Sequence, residues 1–352
     1  MKYAAAIREA IDLCMEKDPA VFIIGEGVPD PKGIFGSTSG LQKKYGPARV
    51  LGMPVSENAL TGICIGAALR GLRPIITHQR VDFCLLALDQ IINNAAKWHF
   101  MFGGKSSVPM VIRLIVGRGW GQGAQHSQSL QSVFSHIPGL KVIMPTTPYD
   151  VKGLLISAVE DNNPVICLEH RWLYGIEGDV PEGMYRIAIG KAKVMKPGTH
   201  VTVVANSHMT IESLKAAHLL EKKGIQAEVI DLRTIKPLDE DLIVESVKKT
   251  GLLLVVDGSW ITGGITGEII ARTAQKAFQY LKAAPRRIAL PDVPTPSSAE
   301  LSKNFYPDFR NITKNILELL GKDENEIDFL SAQEQKIHRP HDVPDLSFKG
   351  PF

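Results

Sequence analysis

The sequence predicts an α/β protein of two parallel-sheet domains, each with helices on both faces of its sheet. Three observations carry this. Apolar runs such as VFIIG (21–25), PMVIRLIV (109–116) and VICLE (165–169) are nearly continuous, as strands buried on both faces are. Stretches of helical periodicity separate them, the arrangement that covers a parallel sheet with crossovers. The alternation breaks once, over the Gly- and Pro-rich residues 175–198, and then resumes. A chain of 352 residues is long enough for two such units.

The first unit opens with a helical pattern over 3–17, then the strand 21–25, which ends Gly-Glu-Gly. Residues 29–46 read as a Gly-, Ser- and Lys-rich loop. The run 59–69 (ALTGICIGAAL) predicts a buried helix whose small residues allow close packing. A short strand over 72–77 follows, then helix over 83–102 and strand over 109–116. Residues 117–125 form a glycine loop, 127–136 a helix, 141–144 a strand, 151–160 a helix and 165–169 a strand. The second unit has strands at 201–205, 227–231 and 252–257, with helices at 211–223, 239–248 and 264–280. A proline-rich connection spans 285–298, and 312–320 is a last helix. The predicted domains are 1–185 and 196–321, and the charged residues 322–352 read as an extended tail.

Charge is nearly balanced, 40 Lys plus Arg against 37 Asp plus Glu, and no basic run stands out. Nothing here favours nucleic acid or an anionic membrane as a partner. Cys14, Cys64, Cys84 and Cys167 are far apart and form no CxxC pair, which suits buried, reduced thiols in the cytoplasm. No apolar run is long enough to span a bilayer, and Met1 leads into polar, helix-like sequence rather than a signal peptide.

Glu57 is the first residue to invite a functional reading. It opens an otherwise uncharged run, 58–69, and a carboxylate buried there costs several kcal/mol unless it is partnered or its pKa rises. Ser56 and Glu57 would equally suit the positive end of a helix. Generic motifs exclude more than they suggest. Gly119-x-Gly121-x-x-Ala124 follows a strand, but the next strand ends Met144-Pro145-Thr146 without the ribose-binding acid of a dinucleotide site. GxxxxGK[ST], GxSxG and HExxH are absent from the sequence. His126 lies just after a glycine loop at the end of a strand, where open α/β sheets bind ligands, although a loop histidine can also be a plain surface residue.

Several longer stretches carry a resemblance. MPVSEN (53–58), VDF (81–83), LDQIINNAAK (88–97), AQHSQ (124–128), HIPGLKV (136–142), DNNP (161–164) and DLRTIKPLD (231–239) occur in that order. The chain resembles the β subunit of 2-oxoacid dehydrogenase E1 components over residues 2–321, with the pyruvate, branched-chain and acetoin types all similar. The resemblance implies a pyrimidine-binding thiamine diphosphate fold followed by a transketolase C-terminal-like domain. It implies thiamine diphosphate shared with an E1 α subunit in an α2β2 heterotetramer, a small 2-oxoacid substrate, and acyl transfer to a lipoyl-bearing E2. Glu57 matches the carboxylate that hydrogen-bonds the aminopyrimidine and drives its proton exchange, with Val55 beside it. Phe83 matches the aromatic residue stacked on the pyrimidine, and otherwise would simply pack in the core. His126 matches a histidine at the reacting end. Asp161 and Asn163 match positions near a potassium site in some relatives; a turn at the end of a helix is the alternative.

Two further points concern what this chain lacks or changes. The Gly-Asp-Gly motif that holds diphosphate and Mg2+ in this family is absent, so those ligands are expected mainly from the α subunit. Thr77-His78-Gln79-Arg80 replaces the usual acidic and aromatic residues before Phe83, and Trp120 in the glycine loop is unusual. His78, Arg80 and Trp120 are therefore candidate substrate residues, with an ion-paired structural role as the alternative for the first two. A thiamine diphosphate enzyme without a lipoyl step, or a non-catalytic assembly subunit, would be the other functional readings.

Overall fold

The computed structural model describes residues 1–117 and 121–322. Its strands, in chain order, are β1 (Val21–Gly25), β2 (Val50–Leu51), β3 (Arg73–His78), β4 (Val111–Val116), β5 (Lys141–Ile143) and β6 (Val165–His170). They continue with β7 (Lys193–Lys196), β8 (Val201–Ala205), β9 (Ala227–Asp231), β10 (Thr234–Lys236), β11 (Leu253–Trp260) and β12 (Arg286–Leu290). One sheet has seven strands in the order β10-β5-β6-β4-β3-β1-β2, and the other has five in the order β12-β11-β8-β9-β7. The runs VIRLIV in β4 and VICLEH in β6 are buried at every position, as the sequence predicts for central parallel strands.

Both sheets are mixed rather than purely parallel. β10 lies antiparallel on β5, and β7 antiparallel on β9. An antiparallel strand on an otherwise parallel sheet is common at an edge, and both strands are edges. β7 falls inside the stretch expected to be a break, and its sequence KVMK has no apolar run to betray it. β2, with two residues, and β12, within the proline-rich connection, escaped notice for the same reason.

β10 also ties the two units together. It leaves the second unit and closes the far edge of the first sheet, where the Met144 amide donates to the Arg233 carbonyl at 2.8 Å. Val142 and Ile166 of the first sheet share one apolar cluster with Leu232, Ile235, Val247 and Leu253 of the second unit. The two sheets therefore meet through a continuous core rather than through a wet interface.

The helix Glu57–Leu69 sinks Cys64, Ile65 and Ala68 into that core, while Ala59, Ile63 and Gly66 face outward. The predicted helix over 83–102 is broken into an α-turn (Val81–Cys84), a 3-10 turn (Leu85–Ala87), a π-turn (Gln90–Ala95) and a final α-helical piece (Ala96–Met101). Asn94 donates to the Gln90 carbonyl oxygen of the side chain within the π-turn at 3.1 Å. Such π-turns gather at functional sites. A fully buried ion pair crosses from β4 to β6: Arg113 donates to both oxygens of Glu169, at 2.7 and 2.9 Å. No helix among the described residues is long and apolar enough to cross a membrane. Trp120 and the tail beyond residue 322 lie outside the described residues.

Candidate active site

The C-terminal ends of β1, β3, β4 and β6 lie side by side at one edge of the first sheet, the standard place for a ligand in an open parallel sheet. Each end supplies a loop or turn with functional side chains. β3 ends on His78 and runs into Arg80 and Phe83. β4 ends at Gly117, whose φ of 91° opens the glycine loop. A Cβ at Gly117 would lie 2.2 Å from the His170 Nε2, so only glycine lets the end of β6 come this close.

Glu57 is the first residue of its helix, and its side chain is buried. Ser56 makes no side-chain cap, and the Glu57 carboxylate has no ion pair or hydrogen bond among the described residues. One helical turn on, the Thr61 hydroxyl is buried and also without a partner. The Cys84 thiol is pushed well up, first by burial and then by the charge of Glu57, so this carboxylate lies close to the Phe83 turn. A buried acid with an unmet hydrogen-bonding demand fits a ligand that brings its own donor.

Phe83 is half-buried, and the His126 ring meets its ring edge-on, centroids 5.4 Å apart at 86°. The sequence-predicted pair thus comes together from two separate loops. Asp82 anchors the contact: its carboxylate accepts from Gln128 Nε2 at 2.8 Å, two residues beyond His126. The Val55 side chain is 74% exposed, which leaves its backbone as the part available to a ligand beside Glu57. The pyrimidine end of thiamine diphosphate fits this set: an orphaned carboxylate, an aromatic face and an open backbone segment. Among the described residues, no group of three or more His, Cys, Asp or Glu side chains could hold a metal ion.

His78 and Arg80 are both buried at the rim, and neither has an ion pair among the described residues. Both ring nitrogens of His78 lack hydrogen-bond partners among the described residues, and burial lowers its pKa to about 4, so the ring is neutral at physiological pH. Arg80 donates to the Gly117 carbonyl at 3.3 Å and to the side-chain oxygen of Gln122. Arg171, just beyond β6, donates to the same Gln122 oxygen at 3.0 Å and lies over the Phe35 ring at 5.0 Å. Burial lowers the Arg80 pKa to about 10; burial and then the charge of Arg80 lower that of Arg171 to about 9. Gln122, Arg171 and Phe35 were not singled out from the sequence. Arg171 could have been: it follows an apolar strand directly, the same position that drew attention to the glycine loop.

Asp161 and Asn163 lie in the turn before β6, at the other end of that strand from this edge. The Asp161 carboxylate is ion-paired with Lys141 and accepts from the Asn163 amide at 2.9 Å. The carbonyls of Val159 and Asp161 accept from one Arg73 nitrogen, at 2.9 and 3.0 Å, and the Asn162 side chain accepts from the other at 2.8 Å. Three oxygens of this turn thus already hold a guanidinium, which favours the turn alternative.

Comparison with known proteins agrees with this geometry. Residues 1–177 match the transketolase pyrimidine-binding domain, and residues 190–312 match the transketolase C-terminal domain. The chain is 47% identical over 312 residues to the acetoin:2,6-dichlorophenolindophenol oxidoreductase subunit beta of Cupriavidus necator, covering 86% of this chain and 92% of that one. It is 43% identical over 314 residues to the pyruvate dehydrogenase E1 component subunit beta of Rickettsia bellii, covering 88% and 97%. The mitochondrial pyruvate dehydrogenase E1 component subunit beta of Bos taurus is 43% identical over 321 residues, covering 90% and 89%. Among solved structures, a split-gene transketolase in an inactive β4 tetramer has the same fold, with a TM-score of 0.74 at 22% identity over 91% of this chain and 99% of that one. Fold, orphaned carboxylate and paired sequence domains converge: the chain belongs to the transketolase-like family that contains the pyruvate dehydrogenase E1 β subunits and the acetoin oxidoreductase β subunits.

Proposed function

We propose that this chain is the β subunit of a thiamine-diphosphate-dependent 2-oxoacid dehydrogenase E1, which decarboxylates a 2-oxoacid and passes the acyl group to a lipoyl carrier. The observation that carries the reading is Glu57, a buried carboxylate at a helix start whose hydrogen-bonding demand the described residues leave unmet. When bound, thiamine diphosphate supplies an electron sink for cleavage of the bond next to the 2-oxo group. Glu57 holds a proton against a ring nitrogen of the aminopyrimidine, Phe83 offers that ring an aromatic face, and the Val55 backbone borders it. His126, edge-on to Phe83, is the acid–base and hydrogen-bonding group nearest the reacting end.

Diphosphate and Mg2+ are assigned mainly to an E1 α partner, giving an α2β2 enzyme that works with a lipoyl-bearing E2. Large exposed apolar side chains near the site support a partner surface: Val55, Ile63 at 60% and Leu86 at 67% exposure. Four free, buried cysteines suit a cytoplasmic location.

Glu57→Gln tests the reading. In enzyme reconstituted from both subunits, turnover should fall roughly 10²–10⁴-fold, the range of a positioned acid–base group. Proton exchange at C2 of the bound cofactor, followed by NMR, should slow in parallel. A helix-capping role alone would cost about 1 kcal/mol of stability and leave exchange as it was. Equal exchange rates in the two proteins would remove Glu57 from the chemistry.

A further inference from the structure

We infer that Asp257, near the end of β11 in the second unit, is a positioning residue for the proposed reaction: through Gln131 it holds the loop that sets His126 against Phe83. The inference rests on the proposed E1 reading and deepens it, because it gives the second unit a part in a site built on the first sheet. Asp257 is fully buried and has no ion pair among the described residues. One carboxylate oxygen accepts from Gln131 Nε2 at 2.7 Å, Asn206 Nδ2 at 2.9 Å and the Gly258 amide at 2.9 Å. The other accepts from the Ser259 hydroxyl. A carboxylate taken out of water is costly, and neutral donors offset that cost only where the fold holds them in place together.

The backbone around Asp257 is shaped for this convergence. β11 pairs with β8 as far as Val256 opposite Ala205, and its register with β12 shifts between Val256 and Trp260. Asp257 lies within that irregularity, a device that re-aims a side chain where a ladder is interrupted. Asn206 stands just before the helix Ser207–Glu221, where its side chain would ordinarily cap the first turn. It makes no cap and donates to Asp257 instead. Gln131 is the first residue of the helix Gln131–His136 and is fully buried, and its Oε1 has no partner among the described residues. The bond to Asp257 is therefore what fixes the Gln131 side chain.

The loop that ends on Gln131 carries His126 five positions earlier. Its first anchor belongs to the Phe83 turn: Asp82 accepts from the Gln128 side chain at 2.8 Å and from the Gln128 amide at 3.4 Å. Asp257 is the second anchor, and it comes from the other unit. Between the two, Ser129 is buried, and the Gln128 carbonyl accepts from the Gly117 amide at 3.2 Å. Slack at Gln131 therefore passes toward His126, whose half-buried ring meets Phe83 edge-on at 5.4 Å. A shift of about 1 Å in a reacting group costs on the order of 10²-fold in rate, so an anchor this remote acts on the chemistry.

The test compares wild type with Gln131→Met, Asp257→Asn and the double variant. In enzyme reconstituted from both subunits, with pyruvate and 3-methyl-2-oxobutanoate as probes, kcat on the better probe should fall about 10- to 100-fold in each single variant. The double variant should be no slower than the slower single one, because both changes break one connection. In the full chain alone, reaction of His126 with diethyl pyrocarbonate, read residue by residue by mass spectrometry, should quicken in both. Asn206→Ala removes a different donor from the same oxygen; it should lower the melting temperature and leave His126 modification as in wild type. Gln131→Met keeps the side-chain length and the other three donors to Asp257, so it decides the matter even where Asp257→Asn does not fold.

Lower melting temperatures with unchanged kcat and unchanged His126 modification would make Asp257 a tie between the two units and overturn the inference. Equal quickening in Asn206→Ala, or kcat losses that multiply in the double variant, would overturn it as well. Absence of wild-type turnover with both probes, together with Gln131-dependent protection of His126, would count against the E1 reading and leave the loop anchor standing.

Discussion

Arg113 and Arg80 belong to neighbouring parts of one sheet, and both guanidinium groups are out of solvent, yet their surroundings are opposite. Arg113 sits mid-strand on β4 with a bidentate carboxylate from Glu169, a Ser37 hydroxyl that accepts at 2.9 Å, and a Tyr174 hydroxyl that donates to the same Glu169. Arg80 sits just past the end of β3 with a backbone carbonyl and an amide oxygen. Both charges bear the cost of burial, but among the described residues only the first has a carboxylate to compensate it. In the sheet interior a buried charge has become architecture. At the rim, where strands end and the backbone opens toward a ligand, it is left with a demand that something else must meet.

The largest expected effect sharpens the interior half of that comparison. Glu169→Gln removes the only carboxylate bonded to Arg113 among the described residues and leaves a fully buried cation on neutral groups. Breaking one side of such a pair costs about 3–5 kcal/mol, far more than the net value of the pair itself. Urea unfolding of the full chain measures it. A loss below about 1 kcal/mol would mean that water reaches Arg113 and that the contrast with the rim is illusory.

The next effect concerns His78, the other buried base at the rim. Its folded pKa of about 4 lies below the ordinary 6.5, so between these values the unfolded chain binds the extra proton. Stability from the neutral ring is therefore complete above pH 6.5 and is lost as pH falls toward 4, by roughly 3 kcal/mol in all. His78→Phe should abolish this loss. Asp231, whose pKa burial and the charge of Asp150 raise to about 7, titrates in the opposite sense over an overlapping range. The measurement is thus the difference between mutant and wild type at each pH. A constant difference from pH 7 to 4 would show that His78 is hydrated or already paired.

What was legible in the sequence follows the same division between interior and rim. Apolar continuity revealed β1, β3, β4, β6, β8 and β9, because a strand buried on both faces has to be written in Val, Ile and Leu. β7 and β10 carry charge and need only three or four residues to pair at an edge, so no pattern marks them. At the site, Glu57, Phe83 and His126 stood out because an ordered set of motifs surrounds them. Phe83 and His126 then proved to touch, although 43 positions separate them in the sequence. Arg171 and Gln122 could not be joined to Arg80 in this way. Their meeting depends on β3, β4 and β6 lying side by side in a particular order, and no local spacing encodes that order.

The smallest expected effect tests the rim directly. Arg80→Met replaces the guanidinium with an apolar chain of similar reach. Among the described residues it leaves behind no carboxylate bonded to Arg80, only the Gly117 carbonyl and the Gln122 amide, and the latter is exposed and free to turn to water. One lost hydrogen bond to a buried carbonyl costs about 1 kcal/mol, while removal of a buried cation and of its repulsion with Arg171 acts in the other direction. The net change in unfolding free energy should therefore lie within about 1 kcal/mol of zero, several-fold less than for Glu169→Gln. That near-neutrality is the mark of a charge retained for something other than folding, since residues that serve binding commonly cost stability rather than supply it. A loss of about 3 kcal/mol or more would place Arg80 with Arg113, as a strut of the fold, and would dissolve the distinction between the two regions.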